Sequence, residues 1–256
     1  MAETDWKEVS NMLRDAVRMA AWPVGIKMLP DAKSLHDFPN IKLLQKTAPC
    51  QMAARARYYR EDGIVAASSR AIKCVWGGAC LALIDTPERL KDGLLYLPYA
   101  DTMQAAQELH RSIGMMGDEG KKYGSMLMAP LDLMPVDPDA IVMYITPAQA
   151  LRFIVAYLYE TGKAIEQKIT GQVSLCTSIA KVLNGSEFCV DIPCIGDRAY
   201  GVLQEQELVL TISPQIVDQL KIGLLGTKML GSYPFKPFLN WSVILRPDME
   251  TMEFDF

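Results

Sequence analysis

Six cysteines are the main chemical resource of this 256-residue chain, and four of them fall into a pattern stated twice. In the first copy Cys50 opens the helix-like stretch QMAARARYYRED, Gly63 ends it, and the apolar run IVAASSRAIK leads to Cys74. In the second, Cys176 opens TSIAKVLN, Gly185 follows, and SEFCVDIP leads to Cys194. A cysteine at a helix start is favoured as thiolate, because the unpaired N–H groups and the dipole of that end attract negative charge. Two such halves meeting at a pseudo-twofold interface would bring four thiolates together. That donor set suits a metal or an iron–sulfur cluster, and Cys50, Cys74, Cys176 and Cys194 are the expected ligands of one [4Fe–4S] cluster. With only three of them ligating, an open iron would serve as a Lewis acid instead of a redox centre.

Around such a cluster, glycines let backbone N–H groups point at sulfur, and Gly77, Gly78 and Gly196 are placed to do so. Arg70 and Arg198 are expected to offset the cluster's negative charge or to hold an anionic substrate. Asp197 beside Arg198 reads equally well as half of a salt bridge that locks the loop after Cys194. Cys80 inside ACLAL and Cys189 inside FCVDI read as small buried hydrophobes. The spacing is not that of a ferredoxin or zinc ribbon, since no C-x₂-C occurs and the paired cysteines are 24 and 18 positions apart.

Two other classes of function stay open. One is a binding or delivery protein for a metal ion or a tetrapyrrole, although no C-x-x-C-H attachment motif is present. The other is a metal-free thiol enzyme with Cys50 or Cys176 as nucleophile, which lacks an evident histidine base. The chain has two histidines, His36 and His110, read as loop and helix-surface residues, and fifteen methionines, read as adaptable core filler. Gly77-Gly78 lacks both the phosphate-loop lysine and the dinucleotide GxGxxG. Asp132, Asp137 and Asp139 flank prolines and read as turn residues.

Composition narrows the class further. Half the residues are hydrophobic, the net charge is −4 and the pI about 5.3. A substantial core follows, and the absence of a basic stripe argues against nucleic-acid binding. The first eighteen residues carry charge from Asp5 onward without an apolar run, so no secretory signal is expected, nor is any stretch long enough to cross a bilayer. The cysteines are then expected to stay reduced in a cytoplasmic setting. The apolar, proline-rich stretch MLGSYPFKPFLNW would be costly to expose, so it is expected to be covered in a homo-oligomer or, equally, to pack on its own domain, and a redox partner protein is also expected.

Several elements are legible. Trp6 to Ala21 has helical spacing up to Pro23; Pro23 to Leu29 reads as a strand; helices are expected over Ala100–Met116, Pro147–Tyr159 and Ile216–Leu225. Ile64–Cys74, Ala140–Ile145, Glu207–Ile212 and Asn240–Pro247 read as strands, and Arg55, Arg57 and Arg60 as the outer face of the Cys50 helix. Strands and helices alternate throughout. The expected fold is α/β or α+β, a mixed sheet with flanking helices, forming one unit over residues 1–256 from two pseudo-repeated halves at about 23–135 and 136–256.

At Cys50, at Cys74-x-x-Gly-Gly, at AIVMYITPAQAL, and from Cys176 through the Cys194-x-Gly-Asp-Arg198 loop, the sequence resembles the archaeal and bacterial cysteine-rich family called domain of unknown function 169 (DUF169). The resemblance spans about Val24 to Leu225. It implies a cytoplasmic protein typical of anaerobes and archaea, and it implies no settled activity. Cys50, Cys74, Cys176 and Cys194 match the family's pattern, whereas Cys80 and Cys189 look particular to this member.

Overall fold

Period-two alternation decides the middle of the molecule. In Ala140–Ile145 every residue is buried: Ala140, Val142 and Tyr144 join one core, while Ile141, Met143 and Ile145 join another. A strand buried on both faces requires a covering layer on each. The computed structural model describes residues 4–58, 62–228 and 233–234. In it this strand lies inside a seven-stranded sheet with helices packed on both sides.

In chain order the elements are α1 (Trp6–Val17), β1 (Val24–Leu29), β2 (Ile41–Leu43), α2 (Pro49–Tyr58), β3 (Ile64–Ser68), α3 (Val75–Cys80) and α4 (Glu88–Lys91). There follow α5 (Met103–Ile113), β4 (Ser125–Pro130), β5 (Ala140–Ile145), α6 (Pro147–Leu158), α7 (Ser174–Leu183), β6 (Phe188–Asp191), α8 (Ile195–Gly201), β7 (Leu208–Ile212) and α9 (Val217–Gly226). The strand order is β2-β3-β4-β1-β5-β7-β6. β2 and β3 run parallel, and the other neighbouring pairs run antiparallel.

Outward from the β1–β5 pair the order is β1-β4-β3 on one side, with β2 added beyond β3, and β5-β7-β6 on the other. On each side the third strand out, β3 or β6, follows a cysteine-bearing helix, α2 or α7, and precedes a short helix capped by a cysteine, α3 or α8. Both cysteine-bearing helices lie on the same face of the sheet, where Met52, Ala53 and Ala56 of α2 share a core with Leu175, Ile179 and Ala180 of α7. The opposite face is covered by α1, α6 and α9 through Leu13, Phe153 and Leu220.

Local chemistry explains the helix starts. Asp5 accepts hydrogen bonds from the N–H groups of Lys7 and Glu8 at α1, and Thr146 with Gln149 forms a capping box at α6, with Pro147 in its first turn. The helix at α1 stops at Arg18, which is left-handed, before Pro23 is reached. The strand expected to run to Cys74 ends at Ser68. β2 and β4 are strands that the sequence did not announce; SMLMAP of β4 has no β-branched residue to signal one.

Arg57 is buried at 1 % exposure rather than facing outward. His110 is likewise buried, with its Nε2 3.1 Å from Asp118 Oδ2, whereas His36 is exposed. Among the described residues no helix is long and apolar enough to cross a membrane. Arg60, the strand expected over Asn240–Pro247 and, apart from Tyr233 and Pro234, the apolar stretch from Met229 to Trp241 lie outside the described residues.

Candidate functional site

Each of the four repeated cysteines sits in the first turn of a helix or caps it. Cys50 is the second residue of α2, after Pro49, whose fixed φ and missing N–H suit that position, and Gln51 Oε1 accepts from Ala48 N at 3.0 Å. Cys176 is the third residue of α7. Cys74 is the N-cap of α3, its sulfur accepting from Gly77 N at 3.4 Å. Cys194 is the N-cap of α8, where Asp197 Oδ2 accepts from Cys194 N at 3.2 Å. The same oxygen accepts from Leu175 N at 3.2 Å, so Asp197 ties the start of α8 to the start of α7.

The four cysteines line one cavity of about 640 Å³, together with Pro49, Gly77, Val173, Gly196 and Asp197. The two halves interlock there. A Cβ added at Gly77 of α3 would lie 3.2 Å from the Cys176 sulfur, and one added at Gly201 of α8 would lie 3.2 Å from Cβ of Cys50. Each short helix thus leans on the cysteine of the opposite half through a glycine.

Cys80 and Cys189 are buried outside the cavity lining; the Cys80 thiol lies 3.9 Å from Thr177 Oγ1. Three expected neighbours of the centre also do not line it. Gly78 closes the turn after α3, its carbonyl accepting from Leu83 N at 2.9 Å. Arg70 is exposed on the turn after β3, and Arg198 Nη1 donates to Gln204 O at 2.8 Å. The cations at the cavity are instead Lys46 and Lys73, both exposed at its mouth.

Burial dominates the electrostatics. It raises the Cys50 thiol far above its ordinary range, with the Asp197 carboxyl and the Cys74 and Cys194 thiols adding to the shift. Cys176 is raised strongly by burial and then by Cys80, Cys74, Asp197 and Cys50. Burial also raises Cys74, against the N–H of Gly77, and pushes Cys194 up to about 11, with Asp197 reinforcing it. Asp197, 3 % exposed, is itself raised by burial, although the N–H groups of Cys194 and Leu175 pull it back. Without a compensating cation the four sulfurs are therefore thiols at neutral pH. A thiophilic metal would displace their protons on binding.

Behind the cavity, Tyr144 of β5 is buried, and burial raises its hydroxyl well above the usual phenol value, with Asp197, Cys50 and Cys176 adding to the shift and the Arg57 guanidinium opposing it. The Arg57 guanidinium lies 4.2 Å from the Tyr144 ring centroid and donates to Glu207 Oε2 at 2.9 Å. Tyr144, Arg57 and the mouth lysines carry no motif and are invisible in the sequence. Asp197 does have a signal: Cys194-x-x-Asp197 has the spacing of a capping box.

Among the described residues, no group of three or more His, Cys, Asp or Glu side chains is set as a ready-made metal site. No curated protein and no solved structure matches the chain. The family model described as DUF169, uncharacterised ArCR, matches residues 12–221. That span holds all six cysteines and runs from α1 into α9. The chain therefore belongs to the DUF169 family of uncharacterised ArCR proteins.

Proposed function

We propose that the chain is an iron–sulfur protein holding a [4Fe–4S] cluster through Cys50, Cys74, Cys176 and Cys194, and that it works in anaerobic cytoplasmic redox metabolism as a reductase component or electron carrier. The observation that carries this reading is convergence. Four cysteines from four helix starts, as far apart in sequence as Cys50 and Cys194, line one cavity, while Cys80 and Cys189 stay outside it. An internal duplication would account for the matching strand order on either side of the β1–β5 pair. A redox partner and self-association belong to the same reading.

The donor set favours a thiophilic group, and the size of the cavity favours a polynuclear one. Four thiolates on a single tetrahedral ion, with metal–sulfur bonds of about 2.3 Å, would crowd their sulfurs to about 4 Å from one another. A cavity of about 640 Å³ with cysteines around it suits the wider span of an iron–sulfur cluster better. When bound, that group would supply one-electron transfer. The chain's own contribution is positional: the ends of α2 and α7 present positive dipoles to the thiolates, Gly77 N–H donates to the Cys74 sulfur, and buried Asp197 fixes Cys194.

The other classes are less well supported. Neither histidine lines the cavity, which weakens haem ligation, and thiols raised by burial are poor nucleophiles. The test is anaerobic purification with iron and acid-labile sulfide counted per chain. About four of each, lost in C50S, C74S, C176S and C194S and kept in C80S and C189S, is the expected result. A colourless protein with six titrating thiols, or retention of iron in two of the first four variants, would overturn it.

A further inference from the structure

The cavity offers more than its cysteines. Its volume of about 640 Å³ falls within the range of about 300–1,000 Å³ usual for small-molecule sites. Three aromatic side chains, Trp76, Tyr99 and Tyr200, line it, with Tyr99 and Tyr200 47 % and 61 % exposed at the mouth.

The positive charge at the mouth is built, not scattered. The segments carrying Lys46 and Lys73 run side by side as a parallel bridge between Thr47 and Ile72: Thr47 N donates to Ala71 O at 3.0 Å and Lys73 N donates to Thr47 O at 2.8 Å. In this register Lys46 stands opposite Ala71 and Lys73 opposite Ala48, so backbone pairing holds the two lysines diagonally across the bridge on one edge. Lys46 has no hydrogen-bond or ion-pair partner among the described residues, and Lys73 spends one N–H on Arg70 O at 2.8 Å. Among the described residues of the lining the one carboxylate, Asp197, is buried and turned to the backbone of Cys194 and Leu175. Two ammonium groups at an aromatic mouth, paired with no carboxylate among the described residues, call for an anion with a flat apolar body.

We infer that the mouth of the cysteine cavity binds a small conjugated or aromatic carboxylic acid, its anionic group held by Lys46 and Lys73 and its ring against Trp76, Tyr99 and Tyr200. This deepens the proposed function by naming the class of molecule that would approach the centre. The lysines and aromatics do not themselves depend on a cluster.

The experiment is a fluorescence titration of the full chain with 8-anilino-1-naphthalenesulfonate, an aromatic anion, and with N-phenyl-1-naphthylamine, its neutral counterpart, recording iron content for each preparation. The anion is expected to bind more tightly, with an affinity that falls as salt rises. K46M and K73M should each weaken it about three- to fivefold, with the neutral probe unaffected. K46R and K73R should restore it, and K122M, at a lysine paired with Glu119 away from the cavity, should change nothing. Equal binding of both probes, or unchanged anion affinity in the K46M/K73M double variant, overturns the inference. An iron-loaded protein without lysine-dependent binding would sink this inference alone; a metal-free protein with it would sink the cluster reading alone.

Discussion

Gly77 of α3 approaches Cys176 of α7 so closely that a Cβ on Gly77 would stand 3.2 Å from the sulfur and 3.0 Å from Cδ of Pro49. The contact joins a residue of the first half to a cysteine of the second, and the space between them is already full. In Gly77→Ala either Pro49 or Cys176 must shift, at a cost of about 1–3 kcal/mol, as for other insertions into a packed core. Urea unfolding midpoints check this, and if the cavity holds the proposed cluster its iron content falls with them. Gly196→Ala is the control: its Cβ would lie 3.6 Å from the Cys194 sulfur, an ordinary contact, and inside α8 the change should be neutral or slightly stabilising. Equal losses in both variants would refute close contact as the reason for Gly77.

Asp191, at the end of β6, is 2 % exposed, and burial raises its carboxyl to about 6 despite the N–H of Ile192 and the charge of Lys181. Between about pH 4 and pH 6 the folded chain keeps a proton that the unfolded chain has released. Stability from this group is therefore greatest below about pH 4 and falls as pH rises through 6. A shift of about two units corresponds to at most about 3 kcal/mol. Asp191→Asn keeps an acceptor for Ile192 N and removes the buried charge, so it should stabilise the protein at pH 8 by up to about 2 kcal/mol and scarcely at pH 4. The same increment at both pH values would show that ionisation is not the cause.

Arg57 and Glu207 form an ion pair whose members are unequally buried, with side chains 0 % and 13 % exposed. Removing the more exposed partner does the greater harm. Glu207→Gln leaves the guanidinium charged and enclosed, with Nε and Nη1 already lacking partners among the described residues, and should cost about 3–5 kcal/mol. Arg57→Met removes the buried charge together with its stacking on Tyr58 and Tyr144, and strands only a carboxylate that water reaches. Thermal unfolding of the two variants should therefore rank Glu207→Gln as the less stable. The opposite order would mean that packing of the arginine stem outweighs its charge.

That pair also shows what a sequence conceals. The Cys50 and Cys176 helices were legible because their signals are local: the apolar face of Met52, Ala53 and Ala56 with Gly63 after one, an Asn-Gly turn after the other. β5 and β7 were legible from short apolar runs of strand length, and α6 from its cap and proline. Arg57 was read as outward because an arginine on a helix defaults to solvent, and its partner lies 150 positions away. Cys74 and Cys194 were read as strand ends, but β3 and β6 stop earlier and both residues cap helices of six and seven residues, too short to show a period. The mouth lysines escaped for the same reason as Arg57, since only the Thr47–Ile72 bridge brings them together.

The carboxyl of Asp197 acts on all four cavity cysteines at once, raising each thiol in addition to burial. It also holds the N–H groups of Cys194 and Leu175 through one oxygen, a task that an amide oxygen can keep. In Asp197→Asn the geometry is therefore largely retained while the negative charge is lost. The four thiols should ionise at lower pH in the metal-free protein, and their alkylation by iodoacetamide at pH 8, followed residue by residue by mass spectrometry, should accelerate several-fold. Cys189, which burial raises against the charge of Lys181 and without a contribution from Asp197, should react at its original rate. Acceleration at Cys189 as well would indicate general loosening of the fold. Unchanged rates at the cavity cysteines would mean that the Asp197 carboxyl is protonated at pH 8 and carries no charge to remove.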